Sequence, residues 1–471
     1  MQFVNDSFNT RSDRQSIRGG QKGLNWAVIA IVLIAFFLRI DAILIYGWPE
    51  YLPWAKQVFF GGITSGYWAL SSHLLAGEGY GTASHPPGYP IFLAGIRSVV
   101  GDHMEAIRFV QAAIDAAAAA VLIHVIRRLG VGSWFALVGG LFYALHPTFI
   151  FGSVTILGEA IVPAMFIVEL ALLCRLLETN NPWVGAATGV VVGCSAMIRP
   201  DHSLFIGLVM VVVFLRHRLP GARSLTVTAL AFAVIVFSWG AHNKVRHNAW
   251  IFTSTSGGNT LWEGLGSLPN DYGYVLSDAH WVKFLQQRGM DWHSVEANDL
   301  FMGKFKEAVL EHPGYYLKTV IRRMGRIIGR FDSPRPRGIG YPFLQFFSNF
   351  GIALVVATFW IKRKEPLMTL MLALPVLYAV FSLGPVHAEG RYTRYVQLSY
   401  IAALCVVLEA LYLRLCVGHR KVANRFRQGV AAAAVFATLY SLGSWTLLAA
   451  KNATPVETGI HWGPNQTTPP V

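Results

Sequence analysis

Apolar runs recur along most of the chain, separated by short connectors, and this spacing leaves few folds open. A helix crossing the hydrocarbon core of a bilayer needs about 20 apolar residues. Runs near that length cover roughly 25–46, 105–126, 134–151, 157–177, 183–198, 203–216, 224–240, 341–361, 367–384, 396–413 and 428–450. The pattern predicts an all-α polytopic membrane protein, a bundle of about 11 transmembrane helices with extracytoplasmic loops and interfacial helices. Composition agrees: 54% of the 471 residues are hydrophobic and 14% are charged, with a mean hydropathy of +0.45. Soluble chains carry about 25% charged residues, so no soluble domain rivals the membrane part.

The net charge of +14 invites a nucleic-acid reading, which the distribution of the charge opposes. Most Lys and Arg residues lie in short connectors, as the positive-inside rule requires. Arg127 and Arg128, Arg216, Arg218 and Arg223, Lys362 to Lys364, and Arg420, Lys421, Arg425 and Arg427 alternate with the N-terminal Arg11, Arg14, Arg18 and Lys22. All then share the cytoplasmic side. The expected organisation is a cytoplasmic tail over 1–24 and an N-terminal transmembrane region over 25–240 that includes a first extracytoplasmic loop, 47–104. An extracytoplasmic loop with interfacial helices over 241–340, transmembrane helices over 341–450 and a disordered tail over 451–471 follow. No small-residue cleavage site follows Trp26–Gly47, which reads as an uncleaved first span. Cys174, Cys194, Cys405 and Cys416 lie in or beside apolar runs without metal-ligand spacing, and read as packing thiols.

The unusual residues collect on the expected outer side. Loop 241–340 carries Trp250, Trp262, Trp281 and Trp292, and its second half has helical spacing broken at His312-Pro313. From Tyr315 the run YYLKTVIRRMGRIIGRF alternates apolar and basic positions. It reads either as a structural interfacial helix or as one whose Lys318, Arg322, Arg323, Arg326 and Arg330 reach phosphates. Residues 91–101 are too short to span and suggest a partly embedded helix.

Five segments, in order, carry a resemblance. They are YWALSSHLLAGEGY with PPGYPIFLA from Tyr67 to Ala94, SVTILGE from Ser153 to Glu159, and SAMIRPD from Ser195 to Asp201. Then come Trp239 to Gly264 with TSTSGGNTLWEG, and HAEGRY from His387 to Tyr392. Together they resemble the GT-C membrane glycosyltransferases, in particular bacterial relatives of protein O-mannosyltransferases and lipid A aminoarabinose transferases. The resemblance implies an inverting transfer of sugar from a polyprenyl-phosphate donor to a glycan, lipid or protein acceptor on the periplasmic face. The expected location is the bacterial inner membrane, multi-pass, with a cytoplasmic N-terminus and no nucleic-acid partner. Such chemistry needs a carboxylate to take the acceptor proton and cations to stabilise the departing phosphate.

The cations are nominated by Arg391, which matches the family's Arg-Tyr pair, with Tyr392, Arg394, Arg199 and Lys244 beside it as donor-phosphate candidates. Arg199 also reads as a snorkelling anchor paired with Asp201, and Lys244 as solvated loop charge. The family's first-loop acidic residue precedes the loop tyrosine, and here Ile63, Thr64 and Ser65 hold that place. Glu159, at the start of a span, is therefore the first candidate base, followed by Glu50 and Glu78. Tyr67, His85, Tyr89, Asn259, Trp262, Glu263 and His387 are candidates for binding sugar or acceptor, although the Trp262 segment also reads as an interfacial turn. No metal site is expected, since no DxD pair appears in the first loop. The empty first-loop position keeps open a catalytically inactive relative serving as a binding or assembly subunit. A lipid or glycan transporter is a third reading, without the paired broken helices of an inverted repeat.

Overall fold

The computed structural model describes residues 11–46, 63–329, 341–387 and 394–416, with isolated positions between 422 and 432. Among these residues all regular structure is helical. The membrane part begins with α1 (Arg11–Tyr46), α2 (Ile63–Leu75), α3 (Gly88–Val100), α4 (Met104–Arg128), α5 (Ser133–Leu145) and α6 (Pro147–Val154). It continues with α7 (Val162–Thr179), α8 (Pro182–Ala196), α9 (Phe205–His217) and α10 (Ala222–His247). The helices of the region expected to lie outside are α11 (Gly257–Leu265), α12 (Asp278–Gln286), α13 (Val295–Glu311) and α14 (Pro313–Gly329). The chain then returns to apolar helices α15 (Tyr341–Ile361), α16 (Pro366–Leu383) and α17 (Arg394–Cys416).

Six of the described helices are long and apolar enough to cross a bilayer, and the bent pair α5–α6 makes a seventh. Three apolar runs are broken or preceded by a turn, and the run expected at 428–450 lies almost wholly outside the described residues. Run 134–151 breaks at His146-Pro147, where proline lacks a donor and starts the next helix. The His146 ring accepts from the Thr148 amide at 3.3 Å, and the two halves diverge by 49°. Run 157–177 opens with a 3-10 turn, Gly158–Ala160, before α7. Run 203–216 is preceded by a second 3-10 turn, Pro200–Leu204. These interruptions place irregular backbone at helix ends, where it is available for polar work.

Packing follows residue size. Gly185, Gly189 and Gly193 of α8 recur every fourth position and face Ser224, Thr228 and Ile235 of α10. This small-residue ridge lets the two backbones approach closely. A buried ion pair ties α1 to α4: Arg39 Nε lies 2.5 Å from Asp115, whose second oxygen accepts from Tyr143 at 2.6 Å. The cost of charge in hydrocarbon explains the pairing. It also accounts for Arg39, which Asp41 does not partner.

The outer helices pack around Trp281, Leu285, Ala297 and Phe301. The break expected at His312-Pro313 separates α13 from α14. Arg323, read from sequence as able to reach a phosphate, is 1% exposed and turned inward. Its guanidinium donates to the carbonyls of Gly264, Gly384 and Val386 at 2.9, 3.1 and 2.5 Å. One side chain thereby pins α14, α11 and the end of α16 together. Burial pulls its pKa down to about 10, which leaves it charged at neutral pH.

Candidate active site

The 3-10 turn before α7 presents Glu159. Leu157 ahead of it is extended, and Pro163 starts α7 behind it, so the carboxylate sits on a short turn outside the regular helix. Arg199 approaches from the end of α8. It precedes Pro200, whose ring disfavours helical backbone at the preceding residue, and its φ of −135° and ψ of 116° are extended. The Arg199 side chain therefore leaves the helix axis and reaches across. Its Nη1 donates to Glu159 Oε1 at 2.9 Å, and its Nε donates to Asp201 Oδ1 at 2.9 Å. Tyr378 of α16 donates to the other Asp201 oxygen at 2.7 Å.

Arg394, the first residue of α17, completes the cluster. Its Nη1 donates to the Glu159 carbonyl at 2.7 Å, and the guanidinium lies against Gly152 of α6. A Cβ at Gly152 would occupy the space of that guanidinium, so only glycine lets Arg394 sit there. Two guanidinium groups and two carboxylates thus meet where the segments at 153–159 and 199–202 reach the start of α17. Their charges balance within the cluster.

The first-loop segment adds an aromatic wall. Tyr89 is fully buried and donates to Gln111 at 2.6 Å, and Gln111 in turn donates to the Thr155 carbonyl at 3.0 Å. Tyr67 packs edge-on against both Tyr89 and His85, with ring centres 5.1 and 5.3 Å apart. Gly88 comes so close to the Met197 carbonyl, with its N–H donating at 2.7 Å, that a Cβ would collide with that backbone. The bend is stitched to the outer helices as well. The Thr255 amide donates to Ala83 O at 2.9 Å, and the Ser256 hydroxyl donates to Ser84 O at 2.8 Å. His85 contacts the Ser84 hydroxyl through Nδ1 at 2.8 Å, and its ring lies 5.5 Å from that of His293. Burial and the neighbouring His293 lower its pKa to about 4.

The remaining sequence candidates are placed differently. Glu78 lies at the exposed end of α2 and pairs with His73, its side chain 60% exposed. Lys244 binds the end of its own helix, with Nζ 3.0 Å from both the carbonyl and the side-chain oxygen of Asn248. Asn259 is buried and donates to the Trp292 carbonyl at 3.0 Å. Trp262 packs against Trp281, Tyr274 and Phe301, two residues from the pinned Gly264, and Glu263 lies beside it on α11. His387 is buried next to Val386, one of the carbonyls that Arg323 holds. Glu50, Arg391, Tyr392 and Arg330 lie outside the described residues.

Tyr378, Tyr395, His202 and Glu169 were not legible as site residues. Tyr395 follows Arg394 and His202 follows Asp201, so adjacency to the motifs was their one available signal. Among the described residues no group of three or more His, Cys, Asp and Glu side chains is placed to hold a metal ion. Cys174, Cys194 and Cys405 carry free thiols.

Residues 84–241 match the dolichyl-phosphate-mannose-protein mannosyltransferase family. The fold is similar to that of the archaeal oligosaccharyltransferase AglB from Archaeoglobus fulgidus, solved in complex with an inhibitory peptide and a dolichol-phosphate. The TM-score is 0.55 at 14% identity, covering 92% of this chain and 56% of that one. The crystal structure of the Archaeoglobus fulgidus oligosaccharyltransferase tethered to an acceptor peptide gives a TM-score of 0.52 at 13% identity, with coverages of 90% and 55%. The chain therefore spans about half the length of the solved proteins it matches. No curated protein matches it in sequence. The chain shares the fold of these oligosaccharyltransferases, the family match covers residues 84–241, and several of its helices are long and apolar enough to cross a membrane.

Proposed function

We propose that this protein transfers a sugar from a polyprenyl-phosphate carrier to an acceptor hydroxyl on the periplasmic face of the bacterial inner membrane, with inversion. The observation that carries the reading is Glu159, whose carboxylate is held by Arg199 and whose backbone carbonyl is held by Arg394. The donor phosphate binds the guanidinium groups and competes with Glu159 for Arg199, because two anions cannot share one N–H. Displaced from its partner, Glu159 becomes a better base. It takes the acceptor proton while the acceptor oxygen attacks the anomeric carbon from the face opposite the phosphate. The bond from that carbon to the phosphate oxygen breaks, and the electron pair leaves with polyprenyl phosphate. Arg199 and Arg394 stabilise the growing negative charge, and preorganised cations of this kind act most strongly where water is excluded. Tyr67 and His85 wall the sugar side, with Tyr89 buried behind them. A neighbouring oligosaccharyltransferase was solved with a dolichol-phosphate, which supports a lipid-linked donor.

The test is reconstitution of the full chain in liposomes with radiolabelled polyprenyl-phosphate sugars and a range of hydroxyl acceptors. Donor-dependent labelling of an acceptor with inverted configuration is expected. Saturable donor binding without transfer from any donor would favour a binding subunit instead, a reading motivated by the absence of a carboxylate at residues 63–65.

A further inference from the structure

One buried cluster plays no part in the chemistry above. Glu169 lies in the middle of α7, fully buried, and neither of its carboxylate oxygens makes a hydrogen bond among the described residues. Facing it is His202, also fully buried, whose Nδ1 lies 3.5 Å from Glu169 Oε1. The other ring nitrogen, Nε2, is 3.1 Å from the Tyr395 hydroxyl. Tyr395 in turn interacts electrostatically with Arg199, Asp201, Glu159 and Glu169. Phe166 and Tyr378 flank the imidazole, with ring centres 5.8 and 5.2 Å from it. A fully buried acidic side chain without a hydrogen-bond partner is costly, and such a group calls for a functional explanation. A purely structural contact in this apolar layer would be served better by hydrocarbon, since replacing buried charges by well-packed apolar groups is often neutral or stabilising.

We propose that Glu169, His202 and Tyr395 form a buried positioning chain that fixes the spacing of the two site arginines; its catalytic consequence rests on the function proposed above. Each member stands on an element that carries a site residue. Glu169 is on α7, which follows Glu159; His202 is on the turn that follows Arg199 and carries Asp201; Tyr395 is the neighbour of Arg394 on α17. With Nδ1 turned to Glu169, the proton sits on Nδ1, and Nε2 accepts from the Tyr395 hydroxyl. The Tyr395 hydroxyl can also accept, so the tautomer set by Glu169 decides which partner donates in the bond between the turn and α17. Losing or reversing that bond lets Arg199 and Arg394 drift relative to Glu159, and a misplacement of about 1 Å can cost on the order of 100-fold in rate.

The test uses the full chain in liposomes and the variants Y395F, E169L and E169Q. Y395F keeps the ring and its packing and removes only the hydroxyl; E169Q keeps an oxygen facing Nδ1. Y395F and E169L are expected to lower kcat by about 10- to 100-fold with little change in donor KM, and E169Q is expected to restore most of the rate. Histidine 15N NMR of the same preparations, with the His202 signal identified by its loss in H202Q, should show the proton on Nδ1. That assignment is expected to persist in E169Q and to weaken in E169L. Wild-type transfer matched by Y395F and E169L, or a His202 protonated on Nε2 alone, would overturn the chain and leave the proposed function standing. A wild type that transfers from no donor overturns the proposed function and the catalytic role of the chain, and the NMR arm still decides the tautomer.

Discussion

The Arg199 guanidinium bridges two carboxylates, with Nη1 2.9 Å from Glu159 and Nε 2.9 Å from Asp201. A lysine cannot reproduce this fork, because its ammonium is a single point charge. The R199K variant should therefore fold but hold donor phosphate poorly, with donor KM rising about tenfold, the size of losing one charge-assisted contact. A titration of initial transfer rate against donor concentration measures it. A KM equal to that of the wild type would mean that Arg199 is only a structural clasp.

Gly152 fixes the position of Arg394. A methyl group there would enter the space of the guanidinium, and overpacking of this kind typically costs about 1–3 kcal/mol. G152A should lower the thermal midpoint and reduce transfer more than an alanine at Gly207, where a Cβ meets nothing within 4 Å. Parallel melting curves and transfer rates for the two variants make the comparison.

Arg323 holds three backbone carbonyls from two distant segments. Replacing it with Met keeps the bulk of the side chain and leaves those acceptors buried, each costing about 1–3 kcal/mol. R323M should loosen α11 and the segment around Val386, seen as faster hydrogen exchange over 257–265 and 383–387. Exchange in α4, which Arg323 does not touch, should be unchanged.

His85 gives a signed dependence on pH. Its pKa is depressed in the folded protein to about 4, below the ordinary value of 6.5. The folded state therefore binds fewer protons than the unfolded chain between those values. The contribution is complete above pH 6.5 and is lost as pH falls through that window toward 4, by about 3 kcal/mol at most. Thermal midpoints of the wild type should fall from pH 7 to pH 4.5 more steeply than those of H85Q. Equal slopes would show that His85 is more solvated than its packing against Tyr67 and His293 indicates.

Helix type and approximate placement could be read from hydrophobic length alone, and the break at His312-Pro313 followed from proline chemistry. The interruptions at His146-Pro147 and at the turn holding Glu159 were hidden because apolar composition runs straight through them. At the site, Glu159, Arg199 and Asp201 were visible as motif residues, and Arg394 as a neighbour of the Arg-Tyr pair. Their mutual contacts were not, since they join positions up to 235 residues apart. Arg323 misled for a physical reason: the basic side chains of an amphipathic run look alike until packing selects the one that turns inward. Trp262 sits in a segment compatible with sugar binding and with structure, and its packing against Trp281 and Phe301 is what folding adds.

The central claim is that Glu159 is the base and that donor phosphate frees it from Arg199. Donor affinity and transfer rate measured on the same liposomes for the wild type and E159Q test it most directly. The glutamine keeps an oxygen for Arg199 but carries no charge to compete with phosphate. E159Q should therefore bind donor at least as tightly as the wild type while transfer falls by about 100-fold or more, the scale of a lost general base. An E159Q protein that transfers sugar at the wild-type rate would contradict the account.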